Sequence, residues 1–514
     1  MFLETRASGI LLHISSLPGP YGIGDIGDSA LHFIDYLKAA GQGYWQLLPL
    51  NPVSSVFGNS PYMSFSAFAG NPLFISPDRL VQDGLLAADD LEPLGSEYRV
   101  EYDKVTAAKK RILHLAFQSF QKRGPSEDFL SFCHRTPWLR EYALFMALKE
   151  KFNQAAWYTW PQEIRLRNPQ ALDAAADELA ASMEYYSFEQ FHFFSQWWIL
   201  REHAAKNGIR IIGDLPIYVG LDSVDVWANQ EIFDLDPASG SPQNVAGVPP
   251  DYFSATGQRW GNPLYRWHDP EVKPRLYHWW QTRLETAFSL VDLIRIDHFR
   301  GFESYWAIPG NEKTAVNGRW LPGPGKEFFR TMELNLGPLP IIAEDLGLIT
   351  PAVERLRDDL GFPGMRVLLF GFDGKPENPH LPHNHVPNAI VYTGTHDNDT
   401  VVGWYQDPAT MPAAKELARR YANRDAQDQR SIHHDFIYLA LSSSARLAII
   451  PMQDILGFGN DCRMNRPGQK EGNWAWRCAP RFLDPATAEQ LRQQTLLFNR
   501  LPRQNDENNE ATNQ

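Results

Sequence analysis

Short apolar runs recur along the chain, and most are separated by stretches whose apolar positions return with roughly the 3.6-residue period of a helix. Runs of the first kind are what buried parallel strands look like, because both faces of such a strand are covered. They fall at residues 10–15, 44–49, 209–217, 292–297, 340–344, 365–370, 389–393 and 446–452. Eight strands joined mostly by helical sequence have the count and order of a (β/α)8 TIM barrel, an α/β fold. Helical sequence is clearest at 104–122, 138–151 and 187–207. The last opens on Ser187 and Gln190 in capping-box spacing and stops at Gly208. Thr350-Pro351 opens a further helix and Gly361 closes it.

This organisation predicts a single barrel domain over 1–504 with two insertions. The first, at about 52–202, is largely helical; the second, at about 218–280, is rich in Pro, Gly, Trp and Asp and reads as loops over the barrel mouth. Residues 505–514 form a polar tail of disordered composition. A chain of 514 residues that is 43% hydrophobic can bury one large core. Net charge is −13 with no basic run, which argues against a nucleic-acid partner. No apolar stretch reaches the length of a membrane span, and residues 10–14 are too short and poorly flanked for a signal peptide. Cys133, Cys462 and Cys478 lack metal-ligand spacing, and their odd number predicts the reduced thiols of a cytoplasmic protein. The 16 Trp, 19 Tyr and 30 Phe suit a carbohydrate cleft, since a sugar's apolar face stacks on aromatic rings.

Polar chemistry concentrates where the apolar runs end. LIRIDHFR (293–300), IIAEDLG (341–347) and VYTGTHDNDT (391–400) each break into acidic and basic residues. At the C-terminal face of a barrel they would bring Asp297, Glu344 and Asp397 to one place. Cleaving a glycosidic bond with retention needs a carboxylate nucleophile and a carboxylic acid roughly 5–5.5 Å apart. A third carboxylate can orient the sugar and raise the acid's pKa. Arg295 shares a strand face with Asp297 and is expected to keep it ionised. Glu344 follows a purely apolar run, so partial desolvation would suit it to be the acid. Singly, these have plainer readings: a strand-end ion pair, or a helix cap that Asp345 could supply instead. Together they point to an enzyme acting on glucans. Asp214 offers a fourth carboxylate at the third strand's end, and the turn 59–62 could set Tyr62 against a sugar ring. The segment 249–253 with 260–262 reads as a stiff loop tipped with aromatics, or as a packed surface loop. His380, His383 and His385 lack a carboxylate at ligand spacing, so no metal is expected there.

The motifs RIDHFRG (295–301), AEDLG (343–347) and GTHDNDT (394–400) resemble those of 4-alpha-glucanotransferases, the amylomaltases or disproportionating enzymes of the alpha-amylase superfamily. The likeness extends to SPY…SFSAFAGNP (60–72), GDLPIYV (213–219), GVPPDYFS…GQRWGNPLY (247–265) and RMNRPG…GNWAWR (463–477), nearly the whole chain. It implies a barrel with helical insertions and no C-terminal β-sandwich. By motif, Asp297 matches the nucleophile, Glu344 the acid/base and Asp397 the transition-state stabiliser. Arg295 and His396 match residues holding the sugar, with Tyr62 stacked on its ring and Asp214 nearby. Ser60, Pro250, Asp251, Phe253, Trp260, His298 and Asn465 complete the expected substrate contacts. The family's mobile loop corresponds to 247–257, with Gly247 and Gly257 as expected hinges; Ala255 and Phe57 depart from the family pattern. The implied reaction moves α-1,4-glucan segments from maltooligosaccharide, starch or glycogen to the 4-OH of glucose or another glucan, without cofactor or metal, in a monomer or small homo-oligomer. Two other readings stand beside it: an α-glucan hydrolase or other transferase of the amylase class, and a non-catalytic glucan-binding protein.

Overall fold

The eight apolar runs all become strands of one parallel sheet. The computed structural model describes residues 3–250, 254–424, 431–469 and 471–502, and the predicted tail at 505–514 lies outside them. The strands, in chain order, are β1 (Ala7–Leu11), β2 (Tyr44–Gln46), β3 (Arg210–Pro216), β4 (Asn244–Val248), β5 (Gln258–Pro263), β6 (Leu293–Asp297), β7 (Ser304–Pro309), β8 (Arg319–Pro322), β9 (Ile341–Ala343), β10 (Gly364–Val367), β11 (Ala389–Tyr392) and β12 (Leu447–Pro451). The parallel sheet runs β10-β11-β12-β1-β2-β3-β6-β9. Its edges meet where the Ala343 N–H donates to the Pro363 carbonyl at 2.9 Å, curling the sheet into the predicted barrel. Asp345, expected as a helix cap, instead fastens this seam: it accepts the Met365 N–H at 2.6 Å and pairs with Arg357 and Arg366.

Several strand ends differ from the expected ones: β1 stops at Leu11 and β2 at Gln46, each short of its apolar run, and two further shifts have a clear physical reason. β1 begins at Ala7 rather than at residue 10, because Gly9 lets β2 approach: a Cβ there would lie 2.4 Å from the Tyr44 carbonyl oxygen. β10 stops at Val367, since residues Leu368–Phe370 turn into a 3-10 helix. The barrel core includes Trp45, fully buried, which donates its indole N–H to the Leu12 carbonyl at 2.7 Å. Each such large apolar side chain contributes about 1.5–3 kcal/mol by leaving water.

Helices Tyr102–Arg123, Glu127–Arg135, Leu139–Lys151, Pro169–Glu178 and Ala180–Lys206 fill the chain between β2 and β3. The last starts well before Ser187, whose hydroxyl donates back to the Met183 carbonyl at 2.8 Å instead of capping. The stretch read as loops at 218–280 is more ordered than its composition suggests. β4 and β5 pair antiparallel there and join β7 and β8 in a four-stranded sheet ordered β5-β4-β7-β8. Gly247, expected as a hinge, lies inside β4, paired on both sides; a Cβ there would sit 2.2 Å from the Gln258 carbonyl oxygen. After β12 the described residues form only helical turns and the helix Pro485–Leu497. No helix among the described residues is long and apolar enough to cross a membrane, and the three cysteines are free.

Candidate active site

Strand register assembles the charged centre. β3 and β6 place Asp214 directly beside Arg295. The guanidinium donates through Nη1 to both Asp214 oxygens, at 2.8 and 2.6 Å, and its Nη2 lies 3.1 Å from Asp297 Oδ1. Asp214 and Arg295 are buried, while Asp297 keeps 32% of its side chain open to the cleft. Tyr62 donates its hydroxyl to Asp214 Oδ2 at 2.8 Å, and its ring lies parallel to His396, with centroids 5.2 Å apart. Ser60 accepts the Tyr62 N–H at 3.2 Å, so its hydroxyl shapes the turn that aims Tyr62.

Glu344 is held differently. Its Oε2 accepts the His298 N–H at 2.8 Å and its Oε1 accepts the Leu346 N–H at 3.1 Å. His298 reaches that position by adopting left-handed backbone angles, φ 53° and ψ 49°, a conformation costing about 1–3 kcal/mol in a residue other than glycine. Its imidazole stands edge-on to Trp260 at 4.9 Å, which brings the small sheet's β5 to the site. Asp397 accepts Asn465 Nδ2 at 2.6 Å and lies 3.3 Å from His396 Nε2, while the Asn465 N–H donates to the His396 carbonyl.

Burial sets the electrostatics. It pushes the Asp297 carboxyl above the usual carboxylate range; Arg295 opposes the rise, and Asp214 and Asp397 add to it. Arg295 therefore does not hold Asp297 in the ordinary ionised range, because its shortest bonds go to Asp214 and desolvation outweighs the rest. Burial also raises Glu344, with Arg295 opposing and Asp297 adding. Burial pushes both imidazoles, His298 and His396, down, with Asp397 opposing the shift at His396. The site sets two raised carboxyls, Asp297 and Glu344, side by side under an aromatic rim, an arrangement that can do acid/base and covalent chemistry.

A family model for 4-alpha-glucanotransferase matches residues 12–483. The 4-alpha-glucanotransferase of Synechocystis sp. is 50% identical over 506 residues, covering 97% of this chain and 99% of that one. The enzyme of the same name from Thermus thermophilus is 47% identical over 496 residues, 95% and 97% of the two chains. The chain belongs to the 4-alpha-glucanotransferase family. An amylomaltase from Streptococcus agalactiae, solved in complex with acarbose, superposes with a TM-score of 0.91 at 39% identity, covering 96% of this chain and 99% of its own.

For a 4-alpha-glucanotransferase the remaining expected contacts divide clearly. Pro250 is exposed, and Asp251 and Phe253 lie outside the described residues. Trp474 was not singled out from the sequence, yet its ring lies 5.8 Å from Tyr62 and 6.0 Å from His396. Its signal was membership of the GNWAWR motif. Arg463 was also missed; it pairs with the Asp399 carboxylate and donates to the Asp397 carbonyl. The three histidines at 380–385 turn to different partners: His380 accepts the Val367 N–H, His385 contacts Ser443 and the His380 carbonyl, and His383 contacts the Pro376 carbonyl. Among the described residues no three His, Cys, Asp or Glu side chains are grouped to hold a metal.

Proposed function

We propose that Asp297 is the nucleophile, Glu344 the acid/base and Asp397 the stabiliser of the transition state in α-1,4-glucan transfer. The observation carrying the division of roles is the difference in partners. Asp297 receives a guanidinium, whereas both Glu344 oxygens accept backbone N–H groups. Of two raised carboxyls, the one beside Arg295 ionises first, so the shared proton rests on Glu344. Glu344 gives that proton to O4 of the departing glucan while Asp297 attacks C1, forming a β-linked glycosyl-enzyme. Glu344, now a carboxylate, takes the proton from the 4-OH of the incoming glucose or glucan, whose oxygen displaces Asp297 and re-forms the α-1,4 bond. Tyr62 and Trp474 supply aromatic faces, His396 and Asn465 supply hydrogen bonds for the sugar at the cleavage point, and buried Asp214 and Arg295 hold Tyr62 and Asp297 in place. Ser60, Pro250, Trp260 and His298 complete the cleft wall. The acarbose bound by the Streptococcus agalactiae relative supports α-glucans as ligands. Cytoplasmic starch or glycogen metabolism, acting as a monomer or small homo-oligomer, is the setting we infer.

Transfer has to outrun water. With water at about 55 M and an acceptor near 5 mM, parity needs a preference of about ten-thousandfold, about 5.5 kcal/mol. Incubation with maltotriose should give glucose plus a ladder of longer chains; glucose with no chain lengthening would mark a hydrolase instead. Glu344→Gln should lose most activity on glucans but far less in the first step on a glycosyl fluoride, whose leaving group needs no proton. Equal loss on both substrates would remove Glu344 from the acid role.

A further inference from the structure

The segment 393–400 links β11 to the helix Val401–Gln406 and carries His396 and Asp397. Its sequence, TGTHDNDT, has no large apolar side chain to anchor it in the core. What holds it comes from the neighbouring strand. Asp454, in the short helix Met452–Ile455 directly after β12, is 2% exposed. Its Oδ2 accepts the Thr393 hydroxyl at 2.5 Å and its Oδ1 accepts the Val401 N–H at 2.8 Å. One carboxylate therefore ties the first residue of the segment to the residue just past its last. Asn460 adds a weaker tie, accepting the Thr400 N–H at 3.1 Å. Within the segment, Asn398 Oδ1 accepts the Thr395 N–H and hydroxyl at 2.8 and 2.9 Å. Beneath it lies a cavity of about 30 Å³ bordered by Leu11, His13, His396, Asp399, Asp454 and Arg463.

We propose that Asp454 is a positioning residue for glucan transfer: by holding both ends of 393–400 it sets where Asp397 and His396 meet the sugar at the cleavage point. The inference rests on the reading of Asp397 as the transition-state stabiliser. Misplacing such a group by about 1 Å can cost about a hundredfold in rate. Binding of the ground-state glucan is shared with Tyr62, Trp474 and Arg295 on other elements, so the loss falls on kcat rather than KM.

Thr393→Val removes one tie at nearly constant volume, and Thr393→Ser keeps the hydroxyl. With maltotriose as donor, Thr393→Val and Asp454→Asn should lower kcat by about ten- to a hundredfold with KM changed less than about threefold, and Thr393→Ser should stay within about threefold of the parent. In an Asp397→Asn background, Thr393→Val should add clearly less than it costs alone, since part of its effect runs through Asp397 and only the part through His396 remains. Parental kcat in Thr393→Val, a loss carried by KM, or a full multiplicative loss in the double variant would each overturn the positioning role. Should Asp454→Asn fail to fold, the Thr393 pair decides alone. Parental activity in Asp397→Asn would instead overturn the stabiliser reading, a result distinct from the others.

Discussion

Arg295 and Arg500 are both buried, at opposite ends of the barrel, and they are satisfied in opposite ways. Arg295 sits near the C-terminal ends of the strands between two carboxylates. Arg500 lies at the other end and donates only to backbone carbonyls, those of Ala7, Leu441, Ser443, Ala445 and Arg446. Asp214 and Asp297 more than offset the burial of Arg295 and hold its charge firmly. Arg500 has carbonyl dipoles for partners, and burial pushes its pKa down. One end of the barrel collects groups whose charge can change during a reaction. The other spends a fixed charge on closing the chain, tying the C-terminal helix to β1 and β12. A buried arginine by itself says nothing about function; the kind of acceptor around it does.

Exchanging each arginine for lysine tests this contrast, because lysine keeps the charge and loses the planar fork. Arg295→Lys should lower kcat/KM by about a hundredfold or more, with stability changed by about 1 kcal/mol, as the fork that spans Asp214 through Nη1 and Asp297 through Nη2 is lost at the reacting centre. Arg500→Lys should do the reverse: about 2 kcal/mol less stability in denaturant unfolding, with kcat of the folded enzyme within about twofold. Similar loss of activity from both exchanges would erase the distinction between the two ends.

The pH profile is the next discriminator. The proposed roles need Asp297 ionised and Glu344 protonated, and both carboxyls are raised above the usual range. Both limbs of the kcat/KM profile should therefore lie above the pH at which ordinary carboxylates titrate. An acid limb in the ordinary carboxylate range would place Asp297 in a more polar setting than its surroundings show.

The smallest effect is on stability. A group whose pKa is raised by folding contributes stability present below its unfolded pKa and lost as pH rises through the folded one. Glu344 is such a group. Glu344→Gln should then melt a few degrees higher than the parent at pH 8, an advantage that shrinks toward pH 5, where the parent's Glu344 is also neutral. The amide and the carboxylic acid face the same two N–H donors, so the change of the difference with pH isolates the charge. A difference constant across that range would mean that Glu344 is not ionising against its surroundings.

What could be read from the chain alone was whatever burial imprints locally. Eight strands came out in their correct order because a strand covered on both faces needs an unbroken apolar run. Asp297, Glu344 and Asp397 stood out because polar residues ending such runs must face the barrel mouth. Short strands left no such imprint: β4 contains a glycine and borders two prolines, and beyond its pairing with β5 its sheet is completed by β7 and β8, which follow β6. Nor could spacing show that Arg295 binds Asp214 more closely than Asp297, since that follows from the register of β3 on β6. The ties from Asp454, Asn460, Arg463 and Asn465 to the segment bearing Asp397 likewise depend on β11 and β12 being neighbours. The residue types for the chemistry are written in local patterns of burial. Their protonation and aim are decided by charges and dipoles from other strands, which only the closed barrel brings within reach.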